Sequence, residues 1–201
     1  MDIGVLGGTF DPIHIGHLFV AEEVVSQLNL TEILFVPVGQ PWLRVNSPIA
    51  TAEQRVQMVS LAIANRPYFK LSTMEVERAG PSYTGDTLAE LQRRYGADGK
   101  LVFILGWDSL VELPRWKDAA QIIKMCNLVA VPRMGYPIPD PDTLESVIPG
   151  LSQSVILLDA PRVDISASEI RDRVAQGLSI RHLVPEPVGR YIKEHKLYIT
   201  S

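Results

Sequence analysis

The sequence predicts an α/β domain built on a doubly wound, mostly parallel sheet, closed by a C-terminal helical segment. Three observations carry this. Six apolar runs recur along the chain: Ile3–Leu6, Ile33–Pro37, Phe69–Thr73, Leu101–Leu105, Leu128–Val131 and Val155–Leu158. Several are continuous rather than alternating, as expected of strands covered on both faces. Between them, Leu18–Leu28, Ala52–Ala64 and Thr87–Tyr95 repeat their apolar residues near the helical period. That order favours right-handed crossovers and a parallel sheet.

The first strand runs into Gly7-Gly8-Thr9-Phe10-Asp11-Pro12-Ile13-His14-Ile15-Gly16-His17, and the first helix follows. A strand-to-helix loop is where open α/β sheets bind ligands. Gly7 and Gly8 let backbone N–H groups approach a ligand without a Cβ in the way. His14 and His17, spaced i and i+3, share one face of the first helical turn. A helix start favours anions, and two imidazoles there point to a phosphate whose charge grows during reaction. A lone histidine at a helix start is usually a cap or a surface residue. Here two of the four histidines fall in one turn beside a Gly-Gly pair. A zinc site would need a third ligand, and the single cysteine, Cys126, lies in a separate apolar segment. Neither a Rossmann dinucleotide fingerprint nor a Walker loop is present.

Further along, Thr51-x-x-Gln54 reads as a capping box for the second helix. Gly96 reads as the stop of the third. Pro132–Pro141 is expected as a surface loop after the fifth strand, too short for an interdomain linker. Residues 1–201 therefore read as one domain, with the helical appendage from about Ser166. That appendage opens on Ile165-Ser166-Ala167-Ser168-Glu169-Ile170-Arg171, where Ser166 and Glu169 form a capping box. Ser166 could simply cap, and Arg171 could lie on a solvated face. Together, hydroxyls, helix-start N–H groups and a guanidinium suit a polyphosphate.

Composition narrows the function classes. At 201 residues with 46% hydrophobic content, the chain can bury a real core. A net charge of −4 argues against nucleic-acid or anionic-membrane partners. One cysteine excludes an internal disulfide and suits a reducing cytoplasm. No apolar segment approaches the ~20 residues that span a bilayer, and the immediate first strand leaves no room for a signal peptide. A homo-oligomer is compatible with the sequence, which does not fix the assembly.

The first motif resembles the Gly-Gly-Thr-Phe-Asp-Pro-x-His-x-Gly-His signature of the nucleotidyltransferase superfamily. The second resembles its Ile-Ser-Ser-Thr-x-Ile-Arg motif, with Ala167 and Ser168 in place of Ser-Thr. Ser82-Tyr83-Thr84-x-Asp86-Thr87-Leu88, Gly106-x-Asp108-Ser109-Leu110, Trp116 and Tyr191-Ile192…Leu197-Tyr198 narrow the likeness to bacterial nicotinate-nucleotide adenylyltransferases. The resemblance covers nearly the whole chain. It implies a Rossmann-like nucleotidyltransferase fold and transfer of AMP from ATP to nicotinate mononucleotide, giving deamido-NAD and pyrophosphate, with Mg²⁺ held through the ATP phosphates.

The same resemblance implies roles. His14, His17 and Arg171 are expected to act in catalysis. Gly7, Gly8, Thr9, Phe10, Gly106, Asp108, Ile165, Ser166 and Ser168 join them in holding ATP. Thr84, Asp108, Trp116, Lys117, Arg133 and Arg44 are expected at the acceptor. Asp108 would otherwise read as a cap of the short helix that follows. Trp116 would read as core filling, but its polar, exposed-looking loop favours stacking on the nicotinate ring. Many members carry a Pro-Pro-His-Lys-like loop after the second strand. Here Gln40-Pro41-Trp42-Leu43-Arg44 stands there, with Arg44 in the cationic role, and Arg is not a neutral exchange for Lys. Arg181 and His182 read as a solvated turn. The competing functions are adenylylation of nicotinamide mononucleotide or phosphopantetheine, and a non-catalytic nucleotide sensor.

Overall fold

Each of the six apolar runs becomes a strand in the computed structural model, which describes residues 2–41, 50–95, 100–132, 135–158 and 164–199. They are β1 (Asp2–Gly8), β2 (Glu32–Pro37), β3 (Phe69–Leu71), β4 (Lys100–Gly106), β5 (Asn127–Val131) and β6 (Val155–Leu157). The sheet order is β3-β2-β1-β4-β5-β6. Every neighbouring pair is parallel, with Val5 opposite both Leu34 and Phe103 at the centre. The chain therefore reverses its winding between β1 and β4. In such sheets ligands bind outside the carboxyl ends of the strands, at this switch point.

The continuous apolar runs follow from the two-sided cover. Along β4, Val102 and Ile104 enter one core, while Leu101, Phe103 and Leu105 enter the other. The first core takes Leu18, Ala21 and Val24 of α1 (Ile15–Leu28), and Met58, Val59, Ala62 and Ile63 of α2 (Ala52–Ile63). The second takes Met74 of α3 (Met74–Glu77), Leu88 and Leu91 of α4 (Thr84–Tyr95), Leu110 of α5 (Trp107–Glu112) and Ile122 of α6 (Ala119–Met125). Thr51 caps α2 as expected: its Oγ1 accepts from Gln54 N–H at 3.2 Å, and Gln54 Oε1 accepts from Thr51 N–H at 2.9 Å.

Some bounds move. Helix α1 starts at Ile15 and α4 at Thr84, each three residues before the apolar periodicity begins, because first-turn residues face outward. Strand β3 stops at Leu71 as the chain turns into α3. After β5, Gly135–Asp140 form the expected loop, and Asp140 caps α7 (Pro141–Glu145), accepting from Asp142 N–H at 3.1 Å. Helix α8 (Leu151–Ser154) precedes β6. Helices α3, α6, α7 and α8 are too short to register as periodic. Gly96 lies outside the described residues.

The C-terminal segment forms α9 (Ala167–Ala175) and α10 (Glu186–Glu194). It is more tightly joined than an appendage. Ile170, Val188, Ile192, Leu197 and Tyr198 are all buried in the first core. Arg181 and His182 lie exposed in the turn between the two helices.

Candidate active site

The loop from Thr9 to His14 sits at the carboxyl end of β1, beside the switch point. Phe10 has φ 51° although it is bulky and not glycine. Such a backbone costs about 1–3 kcal/mol and persists only where its surroundings over-determine it. Here they do. The Phe10 ring is 2% exposed, meets His17 edge-on at 5.0 Å and lies 5.9 Å from the Phe35 ring. A Cβ on Gly8 would sit 3.0 Å from that ring. Gly8 thus makes room for Phe10 as well as for an approaching ligand. Gly7 is exposed and a Cβ there would make only ordinary contact with Phe103.

His14 stands at the N-cap of α1 in extended conformation and His17 one turn in, their rings stacked with centroids 3.7 Å apart. His14 N–H donates to His17 Nδ1 at 3.2 Å. An Nδ1 that accepts leaves the proton of the neutral imidazole on Nε2, the nitrogen that can then donate to an anion. The first turn is not simply open to ligand: Ile15 N–H donates to Leu183 O at 2.9 Å, and His17 N–H to His14 O at 3.0 Å. An anion placed here would meet imidazoles more than free helix-start N–H groups.

A buried polar clamp holds this loop. Asp11 is 4% exposed, and its Oδ1 accepts from Tyr198 Oη at 2.7 Å and from Ala50 N–H at 3.2 Å. Arg55, 1% exposed, donates through Nη1 to Thr9 O at 2.8 Å and through Nη2 to Gly39 O at 3.3 Å. Burial pulls the Arg55 guanidinium below its ordinary value, and the nearby Asp11 opposes that pull. Burial, then Asp11, push the Tyr198 phenol well above its ordinary range, so it stays a donor at every working pH.

The second motif reaches the same loop. Ser166 Oγ accepts from Glu169 N–H at 3.2 Å and lies 3.2 Å from Ser168 Oγ, at the start of α9. Arg171 donates through Nη1 to Asp11 O at 2.8 Å. One arm of this guanidinium therefore braces the first loop, where the sequence offered a phosphate contact or a solvated face. Ile165 is half-buried with its side chain packed against the first core.

Of the residues expected at the acceptor, Asp108, Trp116 and Lys117 follow β4 and Thr84 stands at the start of α4. Gly106, not Asp108, is the N-cap of α5, so Asp108 lies within the first turn rather than capping it. Thr84 opens α4, where N–H groups have no carbonyl one turn back. Thr84, Trp116 and Lys117 line a shallow pocket with Tyr83 and Ile122. Trp116 is half-buried rather than exposed: its ring meets Phe103 edge-on at 6.0 Å, because it packs on the second core. Lys117 Nζ lies 4.4 Å over the Tyr83 ring and 3.8 Å from Asp86 Oδ2. Arg44 and Arg133 lie outside the described residues.

Arg55 and the Asp11–Tyr198 contact escaped sequence reading. The signal was present for Arg55, a charge on the same helical stripe as Met58, Val59 and Ala62. Ser82 and Thr87, read above only as motif residues, are buried with Glu75, which sequence reading did not single out. Among the described residues no group of three or more His, Cys, Asp or Glu is placed to hold a metal ion.

A cytidylyltransferase-like family model matches residues 5–173. A relative from Dehalococcoides mccartyi, bearing the name "Probable nicotinate-nucleotide adenylyltransferase", is 52% identical over 195 residues, 97% of this chain and 96% of its own. One of the same name from Roseiflexus sp. is 44% identical, covering 98% and 97%. The solved nicotinic acid mononucleotide adenylyltransferase of Plasmodium falciparum, complexed with NaAD, shares the fold, with a TM-score of 0.76 at 22% identity over 98% of this chain and 97% of that one.

The clamp makes a checkable demand. Tyr198→Phe removes a buried donor from Asp11, and a buried polar group stripped of a partner costs about 1–3 kcal/mol. Urea unfolding of the variant should show that loss with an unchanged slope. An unshifted midpoint would mean the hydroxyl holds nothing.

Proposed function

The chain belongs to the cytidylyltransferase-like family, and from that premise we propose that it transfers the adenylyl group of ATP to nicotinate mononucleotide. The products are deamido-NAD and pyrophosphate. The observation that carries the reading is the convergence of the His14–His17 pair and the Ser166–Arg171 helix start on one loop. A sensor would need only to bind. A stacked imidazole pair beside a braced loop also suits charge that grows in a transition state.

In this reading an oxygen of the acceptor's 5′-phosphate forms a bond to the α-phosphorus. The bond from that phosphorus to the oxygen bridging to the β-phosphate breaks in line, and pyrophosphate departs with its electron pair. No covalent enzyme intermediate is required, so positioning and charge stabilisation supply the rate. His17 Nε2 and His14 would donate to the reacting phosphates, with the backbone of Gly7 to Phe10 beside them. Ser166, Ser168 and the remaining arm of Arg171 would hold the β,γ-end. ATP would enter as its Mg²⁺ complex, the ion bound by phosphate oxygens and water with few protein ligands. Gly106 and Asp108 would meet ribose. Trp116 would offer a ring face to the nicotinate, with Thr84 and Lys117 N–H groups for its carboxylate and Arg133 and Arg44 adding positive charge. A cytoplasmic setting fits the single thiol. Cys126 is buried, which pushes it up to about 12, and it donates to Ile122 O.

Two measurements test this. Pyrophosphate release with ATP should be fastest with nicotinate mononucleotide. The amide would set its NH₂ against one of the backbone donors, leaving a donor unpaired at about 1–3 kcal/mol, roughly tenfold to a hundredfold in kcat/KM. Equal use of acid and amide would contradict the carboxylate site, and release only with phosphopantetheine would replace the acceptor. Separately, His17→Ala removes one transition-state donor and should lower kcat by about 10²–10³ with the fold intact. A kcat loss no larger than the accompanying loss of folded protein would reduce His17 to a structural role.

A further inference from the structure

One buried carboxyl outside this mechanism ties together the segments around the acceptor pocket. Glu75, in the single turn of α3, is 6% exposed. Its Oε1 accepts from Thr87 Oγ1 at 2.7 Å. Thr87, 2% exposed, also accepts from Arg78 Nη1 at 3.1 Å, and Arg78 Nη2 donates to Glu90 at 2.7 Å. Ser82 Oγ accepts from two backbone N–H groups, Gly39 at 3.1 Å and Gln40 at 3.3 Å. Among the described residues the second oxygen, Glu75 Oε2, is buried without a hydrogen-bond partner. The backbones touch as well: a Cβ on Gly39 would lie 2.1 Å from Glu75 O. Burial raises the Glu75 carboxyl above its ordinary value, while Thr87, Ser82 and Arg78 pull it back.

Thr87, which Glu75 engages, and Ser82, bonded to the Gly39 backbone that packs on Glu75 O, flank Tyr83-Thr84-Gly85-Asp86 in the chain. Tyr83 and Thr84 line the pocket, and Tyr83 O accepts from Thr87 N–H at 3.2 Å. Glu75 thus holds one end of the turn by its side chain, at Thr87, and reaches the other end and the loop after β2 through its backbone, packed on Gly39, whose N–H donates to Ser82.

We propose that Glu75 is a positioning residue for acceptor recognition. It touches neither substrate, holds the Thr84 N–H in place, and so controls acceptor affinity apart from ATP affinity. The proposal rests on the reading of Thr84 as the partner of the acceptor's carboxylate.

The test is steady-state kinetics of the full chain with ATP and nicotinate mononucleotide for the parent, Glu75→Gln, Ser82→Ala and the double variant. Gln keeps a carbonyl for Thr87 but buries an NH₂ donor with no acceptor at the position of Oε2. Acceptor KM should rise about tenfold in Glu75→Gln, as for one unmatched buried donor. ATP KM should stay within about twofold. The double variant should lose no more than the worse single, since both act by holding one turn. ATP and acceptor KM rising together, an unchanged acceptor KM, or single effects that multiply would overturn the proposal. If Glu75→Gln does not fold, Ser82→Ala alone decides, by the same split between the two KM values. A parent that releases no pyrophosphate overturns the acceptor reading itself, and the proposal with it. An active parent with an unsplit variant overturns only the proposal.

Discussion

The Asp11 carboxyl, buried at the carboxyl end of β1 and held by Tyr198 Oη and Ala50 N–H, is the contact on which the site depends. Burying a charged group is unfavourable unless it is paired and hydrogen-bonded. Here the surroundings come from widely separated parts of the chain: the start of α2, the end of the C-terminal segment, and the Arg55 and Arg171 guanidinium groups on neighbouring carbonyls. A loop fixed from so many sides can hold Phe10 in a left-handed backbone conformation and keep two imidazoles stacked at a helix start. Pre-set geometry of this kind is what in-line phosphoryl chemistry needs from a protein, because little else is done covalently.

The same kind of support reaches the neighbouring loops. Arg55 joins the loop after β1 to the loop after β2, through Thr9 O and Gly39 O. Gly39 N–H then passes to Ser82, and the Ser82 region to Glu75 and Thr87. The two buried polar clusters therefore meet at Gly39, a residue with no room for a Cβ. The helices that carry them cover opposite faces of the sheet, α2 on the first core and α3 and α4 on the second.

Strands were the most legible part of the fold, because both-face burial writes itself as unbroken apolar runs such as Leu101–Leu105. Helices with a full apolar stripe were legible too, to within a turn at their starts. The four- to seven-residue helices were not, since one turn carries no period. In the site, the histidine pair and Ser166 were readable because their spacing is local. The partner of Asp11 was not, because Tyr198 lies far away in sequence and nothing local to either residue encodes the contact. The packing of Trp116 was hidden for a related reason. Its neighbours Arg115 and Lys117 are exposed, but its ring leans on Phe103 of β4, a contact only the folded sheet creates.

If the loop is pre-set by its clamp rather than ordered by ligand, that order exists in the protein alone. Amide hydrogen exchange of the nucleotide-free chain measures it directly. The N–H groups of Ile15, Val38 and Ala50 are bonded to Leu183 O, Gly8 O and Asp11 Oδ1. Peptides spanning them should exchange nearly as slowly as those of β1, with little further slowing on addition of ATP. Exchange at the rate of open loops, with protection gained only when ATP is bound, would contradict the account.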